Sequence, residues 1–141
     1  MLNYSKYIID AHAHIFPDKI AVKAADNIGR FYDLYMNFDG TTDTLIKQGD
    51  ECGVSKFVVQ SVATVPHQVK RINDFIVSAV QKYPDRLIGF GSLHPDMNGM
   101  EEEIDRLISI GLHGIKLHPD FQKFAINDEN ACRIYDAVGD R

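Results

Sequence analysis

Four times along this chain a short apolar run is followed by a longer stretch whose apolar residues recur at helical intervals. No other feature narrows the fold as much. Strands separated by helices pair in parallel through right-handed crossovers, because a parallel neighbour cannot be reached through a tight turn. The first run covers residues 7–16 and stops at Pro17. Ile20, Ala21, Ala24, Ala25 and Ile28 then mark a helix, with Gly29 as its expected C-terminal cap. Residues 30–40 are aromatic and aperiodic, as in a loop over one end of a sheet. A second helix is capped by Thr41 or Thr42, carries Leu45 and Ile46, and ends near Gly53.

The second strand spans residues 56–63. Pro66 opens a third helix with Val69, Ile72, Ile76 and Val80 on one face, closed by the turn at Tyr83-Pro84-Asp85. A third strand at residues 87–94 leads to a helix that starts at Asn98 or Gly99 and runs through Ile104, Leu107 and Ile108 to Gly111. The fourth strand is at residues 114–118 and its helix at residues 128–138. There is no linker, low-complexity tract or repeat beyond this alternation. The reading is an α/β chain forming one domain over residues 1–141, with about four βα units and a parallel sheet.

The 141 residues suffice for one domain with a sizeable core, and 45% apolar with 25% charged residues is ordinary for a globular protein. A net charge of −5 without a Lys/Arg cluster argues against nucleic acid as a partner. No apolar run is long enough to cross a membrane, and the first residues lack a basic segment followed by an apolar one, so the expected location is cytoplasmic. Cys52 and Cys132 are far apart without metal-type spacing and read as buried structural thiols in a reducing compartment. Glu101-Glu102-Glu103 reads as a solvated first helical turn that complements the helix dipole.

Chemistry concentrates at the C-terminal ends of the strands, where parallel α/β folds bind ligands. His12 and His14 lie two apart on the first strand, so both imidazoles point to one face while Ala13 points away. Imidazole is the commonest protein ligand for zinc and similar divalent ions. Asp10 shares that parity; it either orients a histidine from below or caps backbone amides at the strand end. Lys116 and His118 share a face on the fourth strand, and a lysine in a buried strand is costly without a partner. Lys116 could reach a ligand carboxylate, become a metal-bridging carbamate, or extend its ammonium to solvent. His118 is a candidate metal ligand or substrate contact. His94, in the first of two His-Pro-Asp tripeptides (the second is His118-Pro119-Asp120), is a further substrate-contact candidate, though turn chemistry accounts for its neighbours. His67 and His113 read as structural. Without a Gly-rich phosphate loop, a nucleophile elbow or a recognisable cysteine nucleophile, a metal-activated water is the favoured chemistry.

Three segments, residues 9–14, 84–91 and 111–119, resemble the amidohydrolase-related (amidohydrolase-2) family of metal-dependent hydrolases. The resemblance implies a partial (β/α)8 TIM-type barrel in which His12 and His14 bind a divalent metal, usually zinc. It implies hydrolysis of a C–N, ester or lactone-type bond of a small-molecule substrate, with decarboxylation as the alternative. His118 matches the fourth-strand His-Pro segment of the family. The family's further ligand His on the fifth strand and its Asp general base on the eighth have no counterpart here. Such barrels run to about 250 residues. The chain is therefore expected to be the N-terminal half of the barrel, as a fragment, a truncated product or half of an assembly. Its open sheet edges favour a homo-oligomer that covers them. A non-catalytic half-barrel that binds a small molecule or a partner chain is the reading from another class. The aromatic residues Phe31, Tyr32, Tyr35 and Phe38 are expected to pack over the barrel rather than line a pocket.

Overall fold

The computed structural model describes residues 7–139 and 141. Every strand pairing in it is parallel. β1 (Ile9–His14) pairs with β2 (Lys56–Gln60), which pairs with β3 (Leu87–Gly89), and β4 (Gly91–Ser92) pairs with β5 (Ile115–Lys116). The run expected as one third strand is thus divided at Phe90. The Phe90 N–H still donates to Val59 O of β2 (2.9 Å), whereas the Gly91 N–H donates to Gly114 O beside β5 (2.8 Å). β3 and β4 are one central run with β2 on one side and β5 on the other, and β1 and β5 form the two open edges.

The helices α1 (Asp18–Tyr32), α2 (Thr42–Cys52), α3 (Val69–Lys82), α4 (Met100–Ser109), α5 (Pro119–Gln122) and α6 (Glu129–Gly139) connect and follow the strands. Residues 66–68 form a 3-10 turn ahead of α3, so the start set by Pro66 holds with a tighter first turn. Thr41 is the N-cap of α2, accepting a hydrogen bond from the Thr44 N–H, and Gly53 closes the helix in the left-handed region. The short α5 falls in a stretch where periodicity gave no sign of a helix.

Gly29 does not cap α1. It is buried inside the helix, and the αL cap is Asp33. A Cβ at Gly29 would lie 2.7 Å from the Leu34 carbonyl and 2.8 Å from Met36 Cγ, so the glycine is there for the close return of the following loop.

The core lies between the sheet and the helices. Phe57, Val59 and Leu87 from the strands meet Val69, Ile76 and Ala79 of α3 and Ile104 and Leu107 of α4. Burying each larger side chain contributes roughly 1.5–3 kcal/mol. Asn73 sits among them with no exposed surface. Its amide group donates to Ser92 O (3.0 Å) and Glu103 Oε1 (2.8 Å), and its oxygen accepts the Ser92 N–H (2.7 Å). Glu103 is consequently buried and paired with Arg106 rather than solvated; only Glu101 and Glu102 fit the exposed first turn expected of the triplet. Desolvation is the largest single influence on the Glu103 carboxyl and raises its pKa, but the hydrogen bonds from Arg106 and Asn73 and the charges of Arg106 and Lys70 together outweigh it and hold the group below the usual carboxylate range.

Both cysteines correct the sequence reading as well. Cys52 and Cys132 are free and exposed. Each lies on a helix, but α2 buries Thr42 and Gly49, and α6 buries Ala131 and Ile134, which turns the thiols outward.

Candidate metal and substrate site

The site is assembled at the C-terminal ends of β1 and β5. On β1 the register shifts between Asp10 and Ala13, so three steps on this strand oppose two on β2. His12 lies inside the shift and donates its N–H to Asp10 Oδ1 at 2.9 Å. Asp10 therefore acts on the backbone that carries His12, the amide-capping alternative of the sequence reading. Above it the His12 and His14 imidazoles converge, Nε2 to Nε2, at 3.0 Å. Ala13 between them is buried, as the alternation requires.

Lys116, at the end of β5, places Nζ 3.4 Å from His12 Nε2. Ile115 and Leu117 pack toward the core, which leaves Lys116 and His118 on the opposite side. Desolvation lowers the Lys116 pKa. His14 is pushed down to about 4, first by burial and then by the positive charges of Lys116, His12 and His118. The His118 pKa is lowered mainly by desolvation and by Lys116. These effects keep His14 neutral near pH 7, the form in which imidazole binds metals.

His118 is at once a site residue and the N-cap of α5. Its Nδ1 accepts the Phe121 N–H (3.4 Å), its Nε2 lies 3.0 Å from the Tyr32 hydroxyl, and its ring stacks on Phe121 at 4.2 Å between centroids. The structure adds two residues that periodicity did not single out. Gln122 is buried and ties three strand ends together: Nε2 donates to Ala63 O (2.9 Å) and Leu93 O (2.6 Å), and Oε1 accepts the His118 N–H (2.7 Å). Tyr32, noted only as part of an aromatic loop, contacts the site directly. Gln122 stands three residues after Pro119 with no local pattern to mark it, and Tyr32 gave no signal either, being 86 residues away from its partner in sequence.

Asp10, His12, His14, Lys116 and His118 border a cavity of about 740 Å³, and Tyr32, Tyr35 and Phe38 line it as well. The aromatic segment thus lines the cavity rather than packing over the core, and Tyr35 is 86% exposed. Phe31 is turned instead toward Phe121, ring centroids 4.6 Å apart. His94 is buried away from this cavity, its Nδ1 accepting the Asp96 N–H (3.1 Å) within a tight turn.

The donor set suits a divalent cation at His12 and His14. Two imidazole nitrogens 3.0 Å apart can be bridged by metal–nitrogen bonds of about 2.0–2.1 Å. Among the described residues no group of three or more His, Cys, Asp or Glu side chains could hold a metal ion, so this chain offers the two imidazoles as a partial set. No helix among the described residues is long and apolar enough to cross a membrane.

The amidohydrolase family profile matches residues 9–141. The chain belongs to the amidohydrolase family. No curated protein matches it. Among solved structures it is similar to 5-carboxyvanillate decarboxylase from Novosphingobium aromaticivorans, complexed with manganese and 4-hydroxy-3-methoxy-5-nitrobenzoic acid. That likeness has 21% identity and a TM-score of 0.71 and covers 97% of this chain and 49% of the other. A probable 2-pyrone-4,6-dicarboxylic acid hydrolase from Acinetobacter baumannii, with citric acid bound, has 23% identity and a TM-score of 0.60, covering 96% of this chain and 46% of that one. 4-Oxalomesaconate hydratase from Rhodopseudomonas palustris has 18% identity and a TM-score of 0.64, covering 94% of this chain and 49% of that one. The amidohydrolase chain thus carries about half of a TIM-type barrel and spans about half the length of these relatives.

Proposed function

We propose that this amidohydrolase chain contributes the first metal-holding half of an enzyme that acts on a small molecule, either as a hydrolase or as a decarboxylase. The observation that carries the proposal is the convergence of the two Nε2 atoms at the rim of a cavity of about 740 Å³. His12 and His14 would hold the ion, zinc or manganese. When bound, such an ion supplies Lewis acidity, drawing electron density from a substrate oxygen and acidifying water. Asp10 steadies the His12 backbone, Lys116 sets a donor beside the pair, and Tyr32, Tyr35 and Phe38 give the cavity an aromatic lining. The general base and the remaining ligands would come from the other half of the barrel. The decarboxylase reading stands level with the hydrolase reading because both activities occur among the structural relatives.

The test is metal content by plasma mass spectrometry, beside a His12→Ala/His14→Ala variant. Retention of about one equivalent, lost in the variant, is the expected result, because the two imidazoles are the metal-binding donors of this chain. Equal metal content in the two proteins would overturn the assignment. Metal-dependent turnover, assayed for released carbon dioxide and for hydrolytic product, separates the two activities.

A further inference from the structure

We propose that His118 serves the cavity as a neutral hydrogen-bond donor to a negatively charged substrate oxygen, and that the Tyr32 hydroxyl holds the place such an oxygen would take. This rests on the reading of the cavity as a substrate site. The assignment follows from the two ring nitrogens. A backbone N–H can only donate, so the Phe121 N–H requires an unprotonated Nδ1 on His118. The proton of the neutral ring is then on Nε2, which faces Tyr32 Oη at 3.0 Å. A nitrogen that carries its proton has no lone pair for a metal, so this tautomer makes His118 a donor rather than a ligand.

The ring orientation is set by the Phe121 N–H on Nδ1 and the Tyr32 hydroxyl on Nε2, while the ring lies flat against Phe121, with 13° between the planes, and the backbone N–H of His118 is held by Gln122 Oε1 at 2.7 Å. The partner on the cavity side is differently placed. Tyr32 is the last residue of α1, is 43% exposed, and precedes the αL residue Asp33, so its hydroxyl can give way where the imidazole cannot. Lys116, two residues before His118, adds a second donor on the same rim, 3.4 Å from His12 Nε2. An anionic oxygen there would meet an ammonium and an imidazole N–H beside the metal pair.

The experiment uses the full chain labelled with ¹⁵N. Long-range ¹H–¹⁵N spectra at pH 7.5 report the tautomer of each histidine, with His118→Gln supplying the assignment. Zinc is then added at one equivalent, and the zinc content of His118→Gln is compared with that of the parent. The expected result is a protonated Nε2 and bare Nδ1 on His118 with and without zinc. The tautomer should persist in Tyr32→Phe, and His118→Gln, which keeps an N–H donor, should hold undiminished zinc. A proton on Nδ1, a zinc-induced shift of Nε2 to a ligated position, or a tenfold loss of zinc affinity in His118→Gln would overturn the proposal. Should the parent bind no zinc, the metal role of His12 and His14 falls, while the zinc-free spectrum still decides the state of His118.

Discussion

Lowering the pH should destabilise this chain through His14 before its carboxylates contribute much. The native His14 pKa is about 4, against 6.5 for the unperturbed residue. Below pH 6.5 the unfolded chain therefore takes up a proton that the native chain refuses. The stability contributed by neutral His14 is complete above pH 6.5 and is lost as the pH falls toward 4. Linkage gives a loss of about 2 kcal/mol by pH 5 and about 3 kcal/mol once both states are protonated. With a urea dependence of about 2 kcal/mol per molar, the midpoint should drop by about 1 M between pH 7.5 and 5. The assay is urea unfolding in the presence of a chelator, on the parent and on His14→Gln. The paired carboxyls, such as Asp39 and Asp43 with their lowered pKa values, titrate alike in both proteins and cancel in the difference. Parallel pH profiles for the two proteins would refute the reasoning, because they would mean that His14 is not held neutral by its surroundings.

Three further outcomes are expected. Lys116→Met should raise the pKa of both His14 and His118, since the Lys116 charge helps lower each; histidine ring shifts across a pH titration would show it. Asn73→Ala should cost about 2–4 kcal/mol in urea unfolding, because it strips a partner from buried Ser92 and from Glu103. Gly49→Ala should cost about 1–3 kcal/mol, because a Cβ there would lie 2.5 Å from the Phe57 ring and force the core apart; an unchanged melting temperature would count against that packing.

The order of strands and helices could be read before any coordinates because it depends on local periodicity, and periodicity is a property of neighbouring residues. The same holds for Thr41 as a cap and for the shared face of His12 and His14. The resemblance of residues 9–14, 84–91 and 111–119 to the amidohydrolases pointed to the family that the comparison then showed. The local rules failed where a distant group decided the outcome. Gly29 has the look of a cap, yet the returning Leu34 and Met36 require a glycine inside the helix. Glu103 belongs to an acidic triplet, yet Asn73 and Arg106 draw it into the interior. Arg86, part of a segment that carried the family resemblance, proves to brace the turn before β2 through Ser55 O and Val54 O.

The sequence by itself determined the alternation of elements, the family and the imidazole pair, since each follows from local runs of residues that can be read without knowing what they contact. Only the tertiary structure decided that the two ring nitrogens of His118 meet the Phe121 N–H and the Tyr32 hydroxyl, and that Gln122 binds three strand ends into one rim. Those outcomes depend on hydrogen bonds between residues up to 86 positions apart, and the geometry of such bonds exists only once the chain has folded.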